Sequence, residues 1–106
     1  MRNAVTPELL RDALNYLDIT WDDPDTNNKV SGILARGIAF LDKAAGTPQD
    51  YTEEDLPRAL LFDYARYARE NATQDFVENY LTEINSLRIY CDGEAALAEM
   101  EAADDA

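Results

Sequence analysis

A chain of 106 residues and 11.9 kDa, 46% hydrophobic and 29% charged, has room for one modest hydrophobic core and the composition of a folded protein. Its 22 acids against 9 bases give a formal charge of −13, and it contains no histidine. Such a charge repels phosphate and argues against ordinary nucleic-acid binding, and the missing histidine removes the commonest acid/base group and metal ligand.

The first helix is predicted from Thr6-Pro7-Glu8. Threonine can cap free N–H groups, proline has none to lose, and glutamate favours the positive helix end. Leu9, Leu10, Ala13, Leu14 and Leu17 recur at helical spacing, so this helix spans about Pro7 to Leu17. Residues 18–25 are rich in turn formers, and Ile19 and Trp21 are expected to plug the gap between helices one and two. Between Thr26 and Ala45, the residues Val30, Ile33, Leu34, Gly37, Ile38, Leu41, Ala44 and Ala45 share a stripe, and Gly46 with Pro48 stops the helix. Lys29, Arg36, Asp42 and Lys43 within it exclude a membrane span. Gly32 and Gly37 each cost about 1 kcal/mol relative to alanine, which points either to close helix approach or to plain tolerance.

Thr52-Glu-Glu-Asp55 reads as a variant capping box, with Leu56-Pro57 in the first turn of helix three. Leu60, Leu61, Tyr64, Ala65 and Ala68 form its buried stripe, which ends near Asn71. Thr73-Gln-Asp opens helix four, in which Phe76, Val77, Tyr80, Leu81, Ile84, Leu87 and Cys91 share a face, and Asp92-Gly93 closes it. No strand pattern of useful length occurs. The expected fold class is all-α: a small antiparallel bundle of four helices over residues 1–91, followed by an acidic C-terminal tail or frayed helix over 92–106. That tail holds six acids and no base, so six of the 13 excess negative charges fall on it and seven on the body. Its only sizeable apolar residues are Leu97 and Met100, too few to order it alone.

Little in the chain can carry catalysis. Asp23-Pro-Asp25-Thr-Asn27 imitates the first half of a calcium loop, but Asn28 stands where glycine is wanted and Leu34 where a bidentate glutamate is wanted. The expectation is an Asx-rich helix cap and no metal. Glu53 and Glu54 sit in a polar loop with nothing to raise a pKa. Cys91, the single cysteine, lies on the core stripe, can form no internal disulfide and has no histidine to activate it. With no basic-then-apolar leader at the start, synthesis in a reducing cytoplasm is expected. The chain reads as a non-enzyme without cofactors, and its function is sought on its surface.

Two surfaces stand out. By their spacing on helix three, Phe62 lies away from the buried stripe, and Arg58, Arg66 and Arg69 fall on its side. An aromatic among arginines is the composition of an interface anchor, and the competing reading folds Phe62 into the core. On helix four, Asn79, Thr82, Asn85 and Ser86 make an outer face that is polar but almost uncharged, a second candidate contact face.

The Leu17-Asp-Ile19 exit from a short helix, the long helix with Ile-Leu-Ala-Arg-Gly-Ile-Ala-Phe-Leu (33–41), and Glu-Glu-Asp-Leu-Pro57 opening Ala-Leu-Leu-Phe-Asp-Tyr-Ala-Arg-Tyr-Ala-Arg (59–69) form an order of elements. That order and those strings resemble the phage head-tail connector (adaptor) family. Phe76-Val-Glu-Asn-Tyr-Leu-Thr-Glu-Ile-Asn-Ser-Leu-Arg-Ile89 is similar to the final helix of members from Gram-positive phages and prophages. The resemblance covers about Thr6 to Tyr90 and rests on element order and short strings, not on a catalytic signature. The brief connection at Asn71 to Asp75 departs from members with a longer loop there.

The resemblance implies a structural virion protein made in the host bacterial cytoplasm. It would form a cyclic ring of about twelve copies in the neck, between the portal protein and the tail or stopper protein, isolated copies being monomeric or not. DNA would pass through without specific binding, and an acidic lumen suits that passage because it does not hold phosphates. The resemblance also places the C-terminal segment, with Leu97 and Met100, against the portal. A different class of function, an acidic helical DNA mimic that inhibits a DNA-binding enzyme, would need carboxylates in a phosphate-like double row on the folded body. Much of the excess charge lies instead in the tail.

Overall fold

The computed structural model describes residues 4–89, whose regular structure is entirely helical. Helices α1 (Pro7–Tyr16), α2 (Pro24–Ala45), α3 (Leu56–Arg69) and α4 (Thr73–Asn79) are followed by a helical run over residues 81–89, here α5. The expectation of an all-helical chain holds in that form.

The first three helices start where a short polar side chain precedes proline. Thr6 Oγ1 accepts from the Leu9 N–H at 3.1 Å and Asp23 Oδ2 from the Thr26 N–H at 3.3 Å, each satisfying a donor the helix cannot. At α3 the expected box opened by Thr52 does not form. The Thr52 hydroxyl and N–H both donate to Asp50 Oδ1, at 2.5 and 2.9 Å, and Asp55 is the cap, accepting from the Leu56 N–H at 2.8 Å.

Two of the helix ends share one solution. Beyond α1, Asp18 takes a φ of 60°, its N–H donates to Asn15 O and the Ile19 N–H reaches back to Leu14 O. Beyond α3, Asn71 takes a φ of 56°, with its N–H on Ala68 O and the Ala72 N–H on Tyr67 O. Both are Schellman endings, with aspartate and asparagine tolerating the left-handed position that glycine usually fills. Gly46 at a φ of 85° ends α2.

α2 is the spine. It packs chiefly against α3, with α1 set against both and α4 against α3. Val30, Leu34 and Leu41 of α2, Leu60 and Leu61 of α3, Phe76 of α4 and Leu87 of α5 are nearly or wholly excluded from solvent. The two helical glycines have different reasons. A Cβ on Gly37 would lie 2.7 Å from both Leu61 Cδ1 and Tyr64 Cδ1, so α3 can approach α2 there only because the residue has none. A Cβ on Gly32 would meet nothing closer than the Arg36 guanidinium at 3.5 Å, so packing does not require that glycine.

Helix four is not continuous. A turn at Tyr80 separates α4 from α5, while the Tyr80 N–H still reaches Phe76 O and the Ile84 N–H still reaches Tyr80 O, each at 2.9 Å. The Tyr80 ring stacks on Phe76 at 5.0 Å and meets Tyr67 edge-on at 5.9 Å, which fixes the chain direction at the turn. Of the expected stripe, Phe76, Ile84 and Leu87 are buried, whereas Leu81 is 52% exposed. Trp21 likewise does not plug a gap: it is 54% exposed, and Ile19 alone turns inward. No helix among the described residues is long and apolar enough to cross a membrane.

Candidate functional site

The arginine set of α3 divides into two environments. Arg58 is only 8% exposed, as is Phe62. Its Nη2 donates to Asp12 Oδ2 of α1 at 2.7 Å and its Nη1 to the Tyr51 carbonyl at 3.1 Å. Its Nε lies 3.3 Å from the Glu54 carboxylate without a well-directed hydrogen bond. The guanidinium sits 4.9 Å over the Phe62 ring, whose other neighbour is Tyr16 at 5.5 Å. Arg58 and Phe62 therefore tie α1, the 46–55 loop and α3 together from inside. This corrects the expectation that they form a surface anchor: Asp12 and the Tyr51 carbonyl supply the hydrogen-bond partners, and the Phe62 ring the face, that let a guanidinium enter the core.

The loop is held by the same group of contacts. Tyr51 is wholly buried and donates its hydroxyl to Asp42 Oδ1 at 2.7 Å, an atom that also accepts the Gln49 N–H at 2.9 Å. Burial first, and then the neighbouring carboxylate, push the Tyr51 phenol far above its ordinary value.

Arg66 and Arg69 remain outside. Arg66 stands in a surface cluster of phenols: 3.8 Å from Asp63, 3.5 Å from the Tyr80 hydroxyl and 5.3 Å over the Tyr67 ring. Tyr16 donates to the same Asp63 carboxylate. That hydrogen bond, with burial behind it, raises the Tyr16 pKa, and burial followed by the Asp63 charge raises that of Tyr80. Tyrosine with arginine is the composition of contact surfaces, and here residues of α1, α3 and the α4–α5 turn form it together.

Asn79, Thr82, Asn85 and Ser86 are all exposed. Asn79 Nδ2 donates to the Tyr67 hydroxyl at 3.2 Å, which joins that face to the phenol cluster, and the Ser86 hydroxyl returns to the Thr82 carbonyl at 2.9 Å. Asp23 caps α2 and accepts from the Thr26 hydroxyl at 2.8 Å, while Asp22 accepts from Asn27 Nδ2 at 3.0 Å. The calcium-like string is thus a helix start. Among the described residues no group of three or more acids, histidines or cysteines could hold a metal. Cys91, Leu97 and Met100 lie outside the described residues.

One feature the sequence reading missed is a groove of about 570 Å³ between the first half of α2 and the end of α3. Lys29, Arg36 and Arg69 line it, and no acid does among the described residues. Lys29 and Arg36 are seven apart, hence on one helical face, a spacing that could have flagged them. Arg69 joins only through the packing of α3. A second groove, of about 590 Å³, lies along α1 beside the exposed Trp21. No protein-family model, curated protein or solved structure matches this chain.

Proposed function

We propose that the chain is a head-tail connector of a tailed phage or prophage: a structural protein of the virion neck, ringed between portal and tail or stopper. In this reading residues 1–91 form an antiparallel helical connector domain and 92–106 an acidic docking segment. The observation that carries it is the order of helices, a short α1, a 22-residue α2 and a 14-residue α3 opened by Leu56-Pro57, on the strings that resemble that family. The charge of −13 supports it physically, since a conduit that does not hold phosphates lets DNA slide. Exposed Tyr16 and Arg66 beside half-buried Tyr67 and Tyr80, with the polar face of Asn79, Thr82, Asn85 and Ser86, offer contact surfaces of the kind a ring of copies requires.

Negative-stain microscopy of the concentrated chain, alone and mixed with portal particles, tests the reading. Rings with a central hole, or a new collar on the portal, are expected. Their absence from both samples, with the chain failing to co-sediment with portal, would overturn it.

A further inference from the structure

We propose that the α2–α3 groove receives the acidic segment 92–106 of a second copy of this chain. In a chain with 22 acids and 9 bases, cations are expected to be neutralised locally. Yet the guanidinium groups of Arg36 and Arg69 form no ion pair or hydrogen bond among the described residues, and with Lys29 they border one cavity. Arg36 reaches back over Gly32, the helical glycine that packing does not require. A side chain there would project into the groove wall, so the glycine keeps the groove open at a cost in helix propensity. The floor adds apolar surface from Ile33 and Ala68. The ligand chemistry that fits three cations over a small apolar floor is a carboxylate-rich peptide with a few aliphatic anchors.

Residues 92–106 have that chemistry: six acids, no base, and Leu97 with Met100. Arg88, near the last described residue, lies against Gly46 at the far end of α2, whereas the groove lies beside its first half, about 20 Å back along the helix. A segment of this length could cover that distance within its own molecule, so it is assembly that selects a second copy as donor: a chain that gives its segment to one neighbour and its groove to another makes a head-to-tail, heterologous contact, the type that closes into rings. The choice of a second copy rests on the connector reading; the groove's preference for acidic peptide does not.

The test uses full-length chains and a labelled synthetic peptide of residues 92–106. As receiver, a full-length variant with Asp92, Glu94, Glu99, Glu101, Asp104 and Asp105 changed to the amides cannot compete for its own groove. Saturable binding that weakens at least tenfold between low and physiological salt is expected, with a further tenfold loss in Arg36→Glu/Arg69→Glu. Gly32→Leu, which keeps all three charges and favours helix, should also weaken binding, and a peptide with its acids amidated should not bind. Circular dichroism on each receiver establishes that it is folded. No binding by the folded receiver, or binding indifferent to the groove variants, overturns the proposal and leaves the segment to the portal. Sedimentation of the unmodified chain at low salt should show concentration-dependent association that Arg36→Glu/Arg69→Glu abolishes. A monomer at every concentration would overturn the second copy as donor. Rings or portal collars that persist in the groove variant would sink this inference and leave the connector reading standing, while peptide binding without rings or collars would sink the connector reading and leave the groove's preference for acidic peptide standing.

Discussion

Arg58 and Arg69 sit at opposite ends of one 14-residue helix, and they are the same residue put to different uses. Arg58 is desolvated, with two well-directed hydrogen bonds and an aromatic ring beneath it. Arg69 lies in the open groove with its guanidinium unbonded among the described residues. The difference teaches that position relative to the packed neighbours, not residue type or spacing, decides whether an arginine here holds the fold or is left for a partner. It also yields a graded set of expectations.

The largest effect is expected at the inner end. Phe62→Ala should cost about 3–5 kcal/mol, the usual range for emptying an aromatic site in a core, and Phe62→Asp should prevent folding. Arg58→Ala should cost about 2–3 kcal/mol. Breaking a fully buried pair would cost more, but Asp12 is 41% exposed on its side chain and can be rehydrated. Urea titrations followed by circular dichroism check both.

The glycines sharpen the same contrast with opposite signs. At Gly37, alanine gains about 1 kcal/mol in helix propensity but drives a methyl group into Leu61 and Tyr64, an overpacking cost of about 1–3 kcal/mol. A net loss is expected. Gly32→Ala should instead stabilise by about 0.5–1 kcal/mol, because nothing in the fold needs the glycine. Thermal melts of the two variants should therefore move in opposite directions, and a loss at Gly32 would show that the packing at that position has been misjudged.

Tyr51→Phe should cost about 1–2 kcal/mol by removing the hydroxyl from Asp42. The phenols also set an alkaline limit. The folded-state pKa values of Tyr16, Tyr51 and Tyr80 are raised, so their stabilisation is complete below the ordinary tyrosine value near 10. It is lost as pH climbs above that value, where the unfolded chain ionises first. Unfolding titrations at pH 9 and 11 should show reduced stability at the higher pH, with a smaller reduction in Tyr51→Phe. At the outer end of α3, Arg69→Ala should change stability by less than about 0.5 kcal/mol.

The parts of this picture visible in sequence are those that local chemistry decides. Thr6-Pro7 and Gly46 mark real helix ends because a cap needs only neighbours within a turn, and Asp23 is the Asx cap expected in its string, although α2 begins at Pro24, two residues before the Thr26 start that spacing suggests. The start of α3 was harder: Asp55 suits either the third position of a box or the cap itself, and Asp50, by taking Thr52, decides the matter. The turn at Tyr80 carries neither proline nor glycine, and the apolar stripe runs through it, so periodicity alone joins α4 to α5. Arg58 becomes an interior residue through Asp12, 46 positions away, and the groove is assembled from two helices. Neither could be read from spacing along one helix, which is why Arg58 and Phe62 looked like surface residues and the Lys29, Arg36 and Arg69 group went unseen.

The division of α3 into an inner and an outer arginine is tested most directly by urea unfolding of Arg58→Ala and Arg69→Ala beside the unmodified chain at neutral pH. The expected result is a midpoint lowered by the equivalent of about 2–3 kcal/mol for Arg58→Ala, with an unchanged slope, and a superimposable curve for Arg69→Ala. Equal midpoints for the two variants, or the larger loss at Arg69, would contradict it.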